Sequence, residues 1–396
     1  MRVFVVAGEP SGDALGAALM AGLKALRPQV VFGGVGGPKM EAAGLESLFP
    51  MSDLSLMGIV EILPKYLHLR RRLFQTVEAV LEAAPDVLIT IDAPAFCLRL
   101  ARELRKRRPG LRTVHYVAPS VWAWRPGRAA KMAGSIDQVL ALLPFEPPLM
   151  EAAGLRCDFV GHPVVAEPQA DAAEAAAFRA AQGIAPATPL ILALPGSRAG
   201  EIRRLAPIFG ETLERVLKVR PMARIVVPTV ASRAEAMAEA LREWSGAPVL
   251  LDPRGRDAVA VAAEKRAAFA AADVALAASG TVSLELAAAA TPMVIGYDVN
   301  WLTRQMLKWF LLVDSVTLVN LVSERRDVPE FIGAACHADR LAPALLEVLD
   351  NPERQGEAMA LTMERLGAGQ EPPGLRAARA VLDGLGELPA AGEPED

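Results

Sequence analysis

The sequence has few of the residues from which disulfides and metal sites are built. Its three cysteines are Cys97, Cys157 and Cys336, and its four histidines are His68, His115, His162 and His337. Their wide spacing predicts neither a disulfide framework nor a zinc site. An Asp-x-Asp motif is also lacking, so a divalent metal that holds a diphosphate has no evident ligands. We therefore expect a site that uses neither a metal nor a cofactor.

Excess positive charge and long apolar runs are lacking as well. The chain has 42 Lys and Arg residues against 46 Asp and Glu, and its net charge of −4 argues against nucleic-acid binding by bulk electrostatics. No apolar run reaches the roughly 18 residues that span a bilayer. The N-terminal run Val3–Ala7 is followed by Glu9 and is too short for a secretory signal. These absences predict a cytoplasmic protein and leave association with a membrane surface open.

The first part of the chain alternates between apolar strands and helices. With 52% hydrophobic residues, a chain of 396 residues can bury two large cores. Arg2–Ala7 is typical of a parallel strand buried on both faces, and a turn over Gly8–Asp13 leads into a predicted helix over Ala14–Leu26. A third predicted strand ends at Asp92, which therefore lies at its carboxyl end. This alternation predicts a parallel sheet covered by helices on both faces.

A change in composition separates a second series of strands from the first. From Val165 to Pro189 the chain is rich in alanine and acidic residues. The predicted strands that follow are Leu190–Leu194, Ala223–Val227, Pro248–Leu251, Asp273–Leu276 and Met293–Ile295. The predicted fold class is α/β, with two Rossmann-like parallel-sheet domains that face a central cleft.

We divide the chain into four parts. Residues 1–165 are predicted to form an N-terminal α/β domain, and residues 166–365 a C-terminal α/β domain. A helical segment over 366–386 packs back towards the N-terminal domain. Residues 387–396, rich in Pro, Gly, Ala and Glu, are predicted from their composition to be a disordered tail.

Ser279-Gly280-Thr281 lies where a predicted strand ends and a helix begins. Unpaired N–H groups and the helix dipole make such a junction suitable for phosphate. Glu285, on the first turns of the helix, could accept hydrogen bonds from ribose hydroxyls. Taken alone, the stretch is better explained as an ordinary capped helix with Glu285 in solvent. Arg198 follows another strand of the same domain and could neutralise a diphosphate, since the chain has neither a GxxxxGK[ST] loop nor a GxGxxG turn after the first strand.

If a nucleotide bound there carried a sugar that is transferred with inversion, the site would also need a side chain that takes the proton of the acceptor hydroxyl. Asp92 is the best-placed carboxylate, because open α/β sheets bind ligands at the carboxyl ends of their strands. The simpler alternative is that Asp92 caps the next helix. Glu9 likewise is either a carboxylate of the site or a cap of the helix after the first strand.

Two amphipathic segments interrupt the strand–helix alternation. Leu56–Leu73 ends in Arg70, Arg71 and Arg72, and Trp301–Val313 carries basic residues among aromatic ones. Each alone is more simply a core helix. Both also have the composition of an interfacial helix, and together they favour a lipid-like substrate.

Nine motifs occur in a specific order along the chain. They are Gly8–Asp13 (GEPSGD), Leu56–Leu63 (LMGIVEIL), Ile91–Pro94 (IDAP), His115–Arg125 (HYVAPSVWAWR), Leu143–Glu146 (LPFE), Gly161–Pro163 (GHP), Leu194–Arg198 (LPGSR), Ala278–Thr281 (ASGT) with Glu285, and Val319–Leu321 (VNL). With these motifs, the chain resembles the lipid-A-disaccharide synthase family of inverting GT-B glycosyltransferases over residues 1–385.

The resemblance implies a specific reaction. The family joins UDP-2,3-diacylglucosamine to 2,3-diacylglucosamine 1-phosphate through a β-1,6 bond and releases UDP. The expected partners are therefore this donor, this acylated acceptor and a membrane surface, and no nucleic acid. The expected location is cytoplasmic, peripheral on the inner face of the cytoplasmic membrane.

The resemblance also implies that the domain over residues 1–165 lies on the acceptor side and that the domain over residues 166–365 binds the UDP-sugar. It implies roles for individual residues as well. Asp92 matches the family's proposed general base and Glu9 an essential carboxylate, while Arg198 and Asn320 match nucleotide contacts. The predicted substrate-binding residues are Ser11, Met57, Trp122, Trp124, Arg198, Ser279, Gly280, Thr281, Glu285 and Asn320.

Two positions depart from the family pattern. Where the family usually reads IDAPDFN, Ala95 and Cys97 follow Pro94 here, so the second acidic residue is missing and Asp92 gains weight as the base. Before Asn320 the family usually has proline, and this chain has Val319.

Simpler interpretations of the remaining motif residues stay open. His115 and His162 are more typical of hydrogen-bonded structural histidines than of catalysts. Trp122 and Trp124 fit a core as well as a lipid or sugar surface, and Asn320 fits a turn.

Two other functions are compatible with this layout. Another GT-B nucleotide-sugar enzyme, such as a UDP-N-acetylglucosamine 2-epimerase, would not explain the two amphipathic segments. A non-catalytic UDP-sugar-binding or membrane-docking protein would not need both Asp92 and Glu9.

Overall fold

A computed structural model describes residues 1–54, 62–122, 127–298 and 313–386, with side chains from Leu67 onwards in the helix that begins at Ile62. The contacts between residues divide the chain into two compact units. The first unit comprises Met1–Ala166 and the C-terminal segment that begins at Gly369. The second unit comprises Glu167–Ala368.

The first unit is built on a six-stranded parallel sheet. Its strands are β1 (Arg2–Ala7), β2 (Val31–Val35), β3 (Val87–Ile91), β4 (Arg112–Tyr116), β5 (Gln138–Ala141) and β6 (Arg156–Phe159). Their order across the sheet is β2-β1-β3-β4-β5-β6. The order therefore reverses between β1 and β3.

Helices cover both faces of this sheet. They are α1 (Pro10–Leu26), α2 (Pro38–Ala42), α3 (Ile62–Ala83), α4 (Pro94–Arg107), α5 (Gly127–Ala133) and α6 (Pro147–Glu151), with 3-10 turns at Met51–Leu54 and Pro163–Ala166. All five residues of β3 are buried, because hydrophobic clusters lie on each side of it. This explains why the central strands read as unbroken apolar runs.

The second unit repeats the same design. Its strands are β7 (Leu190–Leu194), β8 (Arg224–Pro228), β9 (Val249–Leu251), β10 (Val274–Ala277), β11 (Met293–Tyr297) and β12 (Glu330–Ile332). They form a parallel sheet in the order β12-β11-β10-β7-β8-β9, which reverses between β7 and β10.

The helices of the second unit follow the same alternation. They are α7 (Ala172–Ala181), α8 (Ala199–Val219), α9 (Ala234–Leu241), α10 (Ala258–Ala271), α11 (Val282–Ala288), α12 (Leu318–Ser323), α13 (Ala338–Asp350) and α14 (Gly356–Arg365), with 3-10 turns at Ala231–Arg233, Gly333–Ala335 and Pro352–Gln355. The final helix, α15 (Pro373–Gly384), belongs to the first unit, where it packs on α1.

The fold class is confirmed: both units are Rossmann-like, with helices between parallel strands. Two details of the sequence-based prediction were wrong. Helix α1 begins at Pro10 rather than Ala14, because proline is well suited to a first helical turn, and the turn before it shrinks to Gly8–Glu9. Strand β12 was not predicted. Among the described residues, no helix has the length and apolarity that crossing a bilayer requires.

Candidate functional site

The first group of predicted site residues lies where the strand order of the first sheet reverses. Ala7 of β1 is in register with Ile91 of β3, so the residues that leave these strands, Gly8 and Asp92, are neighbours at the carboxyl edge. A Cβ atom on Gly8 would lie 2.8 Å from the Ala93 Cβ, so only glycine allows this approach. The carboxyl ends of strands at such a reversal are where open α/β sheets bind ligands.

Asp92 is held in an unusual backbone conformation at this edge. Its φ is +50° and that of Ala93 is +43°, both in the left-handed region. Val117, which follows the neighbouring strand β4, has φ +82°, a genuine outlier for a β-branched residue. The Asp92 N–H donates a hydrogen bond of 2.9 Å to the Tyr116 carbonyl, and this bond fixes the backbone at Asp92. Such strain costs of order 1–3 kcal/mol per residue and tends to accumulate at functional sites.

Asp92 is partly buried, and its surroundings change the pKa of its carboxyl. Partial burial raises the pKa of its carboxyl above the usual value of 3.8, and a hydrogen bond from the Ala93 N–H opposes that rise. Ala93, not Asp92, occupies the N-cap position of α4. Asp92 therefore does not have the position of a helix-capping residue, which was the simpler alternative for it.

Glu9 and Ser11 lie at the start of α1 and are both exposed. Glu9 is the N-cap residue, with an extended backbone (φ −142°), and no capping hydrogen bond joins its side chain to α1. Asp13 has a structural role instead. Its buried carboxylate accepts hydrogen bonds from the N–H groups of Gly37, Lys39 and Met40 at 2.9–3.0 Å and so fixes the start of α2.

The second group lies where the strand order of the second sheet reverses. Leu194 of β7 is in register with Ala277 of β10, which makes the Arg198 loop and the Ser279 loop neighbours. Gly196 has φ +105° and lies against Glu201. The buried Glu201 carboxylate accepts hydrogen bonds from the Ser197 and Arg198 N–H groups, at 3.1 and 3.2 Å.

Arg198 is the N-cap residue of α8, and its side chain is 76% exposed. One guanidinium nitrogen donates to Glu201 Oε1 at 3.0 Å. Tyr297, at the end of β11, is close enough for its pKa to respond to Glu201 and Arg198, although burial is the main reason that this pKa is raised. Glu201 and Tyr297 were not predicted as site residues. A glutamate three positions after an N-cap is the sequence signal that would have identified Glu201.

Ser279-Gly280-Thr281 connects β10 to α11, as predicted. The Ser279 hydroxyl donates to the Val316 carbonyl at 3.2 Å, and Gly280 has φ +150°. Thr281 is the N-cap residue of α11. Gly280 and Thr281 are exposed at this junction.

Two predicted nucleotide contacts of the second unit have intramolecular partners. Glu285 forms an ion pair with Lys265 of α10, and both side chains remain partly exposed. The Asn320 side chain is buried and holds the Val328 backbone at both ends, with Nδ2 donating to the carbonyl at 2.9 Å and Oδ1 accepting from the N–H at 3.1 Å. In this structure Asn320 therefore positions a loop.

Trp122 packs edge-on against Phe145, with ring centroids 5.4 Å apart, and its Nε1–H donates to Glu146 Oε1 at 3.4 Å. Glu146 is buried and accepts hydrogen bonds from the Leu142 and Leu143 N–H groups. Burial raises the pKa of Glu146 to about 7, and these hydrogen bonds oppose the rise. Trp122 is thus fastened to the loop after β5.

His115 and His162 are structural, as interpreted from the sequence. The His115 ring bonds to the Thr90 hydroxyl at 2.8 Å, and the His162 ring accepts from the Val164 N–H at 3.2 Å. Burial lowers the pKa of each to about 4, so both are neutral near pH 7.

Several predictions lie outside the described residues. These are Met57, Trp124, residues 56–61 of the first amphipathic segment, residues 301–312 of the second and the predicted tail over 387–396. Within the described part of the first segment, Leu67, Arg70 and Arg71 are exposed. Arg72, the third basic residue at the end of this segment, contacts its own unit instead. Arg72 forms an ion pair with Asp53 at 2.5 Å and lies over the Phe49 ring.

The second unit also has a cavity of about 750 Å³, which lies away from the predicted site residues. Among its lining residues are Pro189, Asp273 and Pro292, which precede β7, β10 and β11. The cavity therefore opens at the amino ends of these strands, whereas the predicted residues are at the carboxyl ends. None of the predicted site residues that the structure describes lines it.

Two Rossmann-like units, each with predicted residues at the reversal of its sheet, define the GT-B class of architecture. Solved structures share it. UDP-GlcNAc 2-epimerase from Neisseria meningitidis, bound to UDP-GlcNAc, aligns with a TM-score of 0.63 at 11% identity and covers 98% of this chain and 100% of its own. Sucrose-phosphate synthase from Thermosynechococcus elongatus aligns with a TM-score of 0.59 at 13% identity, over 97% and 98%. At these identities the likeness shows the fold alone.

Sequence comparison is more specific. The family model described as Lipid-A-disaccharide synthetase matches residues 3–380. Lipid-A-disaccharide synthase of Ruegeria pomeroyi is 63% identical over 97% of this chain and 96% of the relative. The synthase of Rhodospirillum centenum is 48% identical over 97% and 94%. The chain belongs to the lipid-A-disaccharide synthase family.

Proposed function

We propose that this chain joins UDP-2,3-diacylglucosamine to 2,3-diacylglucosamine 1-phosphate through a β-1,6 bond and releases UDP. Family membership over residues 3–380 is the observation that carries the proposal, and it makes the chain a glycosyltransferase. The reversal points of the two sheets support it, because each gathers predicted residues at the edge where such folds bind ligands.

Asp92 is the general base in this proposal. Its carboxylate takes the proton of the acceptor 6-hydroxyl while that oxygen forms a bond to the anomeric carbon of the donor. The bond from this carbon to the UDP oxygen breaks on the opposite face, and UDP leaves with the electron pair. A raised pKa suits the role, because a base is most effective when its pKa approaches the working pH.

The second unit holds the donor nucleotide in this proposal. Arg198 is exposed enough to reach a ligand, and its guanidinium can donate two hydrogen bonds to a diphosphate. Glu201 keeps the Arg198 loop in place through its backbone hydrogen bonds. Ser279, Gly280 and Thr281 add backbone N–H groups.

The remaining predicted residues have supporting roles. Glu285, paired with Lys265, would accept hydrogen bonds from ribose, and Asn320 would keep its loop in the shape that the nucleotide requires. On the acceptor side, Glu9 and Ser11 are exposed at the start of α1, the helix that follows β1 at the same sheet edge as Asp92. Met57, Trp122 and Trp124 would contact the acylated sugars.

The acyl chains of both substrates lead us to propose that the protein works peripherally, on the inner face of the cytoplasmic membrane. Arg70 and Arg71 would meet anionic lipid, with Leu67 in the apolar layer. Flotation with anionic vesicles at low salt tests this. Arg70→Gln/Arg71→Gln should reduce vesicle binding, whereas an unchanged bound fraction would show that this segment does not dock.

A coupled assay for UDP release tests the reaction itself. Full activity is expected with the diacylated donor and acceptor, and a large loss with the deacylated donor. A 2-epimerase, the function of several structural neighbours, would need no acylated acceptor. Epimerisation of UDP-N-acetylglucosamine without an acceptor leaves the bond to UDP intact, so it is followed by chromatography of the UDP-sugars, and its detection would overturn the proposal.

A further inference from the structure

A groove of about 620 Å³ runs between α4 and α5 of the first unit. It is lined by Pro94, Ala95, Leu98, Arg99, Arg102, Gly127, Arg128 and Lys131. Four of these eight residues are cationic and none is acidic. In a chain whose net charge is −4, this is a local concentration of positive charge.

The cations of the groove differ from others on the same helix. Further along α4, Arg105, Lys106 and Arg107 each form an ion pair, with Asp137, Glu103 and Glu78 respectively. Within the described residues, Arg99, Arg102 and Lys131 have no acidic partner. Arg99 and Arg102 are three residues apart on one helical face, and so are Arg128 and Lys131. Like charges at this spacing repel, and a bound anion would remove that cost.

The floor of the groove is rigid. Leu98 and Ala101 of α4 belong to one buried hydrophobic cluster with Ala129 and Met132 of α5. This packing fixes the two helices side by side, so the four cations are brought together before any ligand arrives. A preformed site loses less entropy on binding than one that must first be ordered.

The groove begins next to the proposed catalytic base. Pro94 and Ala95, its first lining residues, follow Asp92 by two and three positions. Arg99 is five residues beyond Pro94, about 7.5 Å along the helix axis. A hexose whose 6-hydroxyl approaches Asp92 could therefore extend its substituent at carbon 1 into the groove.

We propose that this groove binds the phosphomonoester of the acceptor sugar. This inference rests on the proposed function, which supplies an acceptor with a phosphate at carbon 1. Arginine is suited to such a dianion, because the guanidinium fork can donate two parallel hydrogen bonds to phosphate oxygens. Arg99, Arg102, Arg128 and Lys131 then hold the acceptor by the end opposite its reacting hydroxyl and orient it towards Asp92.

The test combines the removal of a cationic side chain from the protein with the removal of the phosphate from the acceptor, in the manner of a double-mutant cycle. UDP release is measured in neutral detergent with two acceptors, 2,3-diacylglucosamine 1-phosphate and the same sugar without the phosphate. Arg99→Gln and Arg102→Gln should each raise the KM for the phosphorylated acceptor about ten-fold or more, as expected when one charged hydrogen bond is lost. The KM for the donor should not change. With the unphosphorylated acceptor, wild type and variants should be equally poor.

Lys106→Gln is the matched control. Lys106 is an exposed cation of the same helix that lies outside the groove, so its loss should leave both acceptors unaffected. Equal melting temperatures would show that the variants fold. If Arg99→Gln weakened both acceptors to the same extent, the groove would not be a phosphate site.

Two other outcomes distinguish this inference from binding of membrane phospholipid and from a failure of the proposed function. If the variants lost binding to anionic vesicles but kept their acceptor KM in detergent, the groove would bind membrane phospholipid and the inference would be wrong. If wild type released no UDP with either acceptor, the proposed function itself would fail. Calorimetry with glucosamine 1-phosphate would still test the groove, because binding that is unchanged in Arg99→Gln would overturn the inference without reference to turnover.

Discussion

At the scale of single residues, the strain around Asp92 calls for a physical reason. Asp92, Ala93 and Val117 all have positive φ at one edge of the first sheet, although none is glycine. A chain that needed only to connect β3 to α4 could use glycine there at lower cost. The strain is explained if it sets the direction of the Asp92 carboxylate at the point where the acceptor arrives.

We expect Asp92→Asn to lower turnover by about 10²–10⁴-fold, because asparagine keeps the shape and cannot take a proton. The wild-type rate should fall as pH is lowered through the Asp92 pKa, which is raised above 3.8, since only the carboxylate is a base. The variant should lack this fall. Rates measured from pH 4 to 8, with UDP affinity by calorimetry as the control, check both statements. Near-normal turnover in a folded variant would leave Glu9 as the next carboxylate to test.

Arg198→Ala should weaken UDP binding by about 1.5–3 kcal/mol, the value of a hydrogen bond to a charged group. Because the Arg198 side chain is 76% exposed, its ion pair with Glu201 adds little stability, and the variant should fold normally. Arg203, exposed on the same helix, provides the control Arg203→Ala. Calorimetry in which both variants bound UDP equally well would remove Arg198 from the nucleotide site.

Residues of the site differed in how well they could be predicted. Asp92 and Ser279 were placed correctly at strand ends, because that position follows from local periodicity alone. The roles of Asp13 and Asn320 depend on backbone partners 24–27 and 8 residues away, and no local pattern reveals those contacts. The ion pair of Glu285 could not be predicted either, because its partner Lys265 lies on another helix.

At the scale of elements, the ends of the apolar strands were predicted to within two residues. Strands such as Val87–Ile91 are buried on both faces and leave little ambiguity. Strand β12 is three residues long, partly exposed and at the sheet edge, so its sequence carries almost no signal. The reversal of strand order could not be predicted, because it is set by which strands pair across the sheet.

The loop after β5 offers a test at this scale, since the buried Glu146 carboxyl holds it to Trp122. Folding raises the pKa of Glu146 from 4.5 to about 7, so the folded state binds more protons between these values. Stability is therefore fully present below pH 4.5 and is lost as pH rises through 7, by about 3 kcal/mol in all. Glu146→Gln should remove this loss. Urea unfolding of the first unit at pH 5 and pH 8 measures it.

Glu151→Gln is the matched control for this experiment. Glu151 is exposed at the end of the next helix, α6, and its substitution should leave the pH dependence of wild type unchanged. Other titrating groups are common to all three proteins and cancel in the difference. A Glu146→Gln profile parallel to that of wild type would contradict the pKa assignment.

At the scale of the whole molecule, the chain returns to its first unit at the end. Helix α15 packs against α1, and the Gln138 side chain donates to the Ala380 carbonyl at 2.8 Å. The contact of the two helices depends on glycine. A Cβ on Gly22 would lie 2.6 Å from the Gly374 carbonyl oxygen, and a Cβ on Gly374 would lie 2.7 Å from the Ala18 carbonyl oxygen. The first unit is therefore completed only when the last helix has been made.

Because α15 completes the first unit by packing on α1, we expect Gly22→Val to destabilise the first unit selectively. Valine gains a few tenths of a kcal/mol in helix propensity over glycine, but the backbone of α15 cannot yield without separating the helices, which costs about 1–3 kcal/mol. Hydrogen exchange should show reduced protection of amides in residues 1–166, while those in 167–368 keep theirs. Gly110→Val is the control, because nothing lies within 4 Å of a Cβ there. Equal loss of protection in both units would mean that they unfold together, and it would contradict the expected selective effect on the first unit.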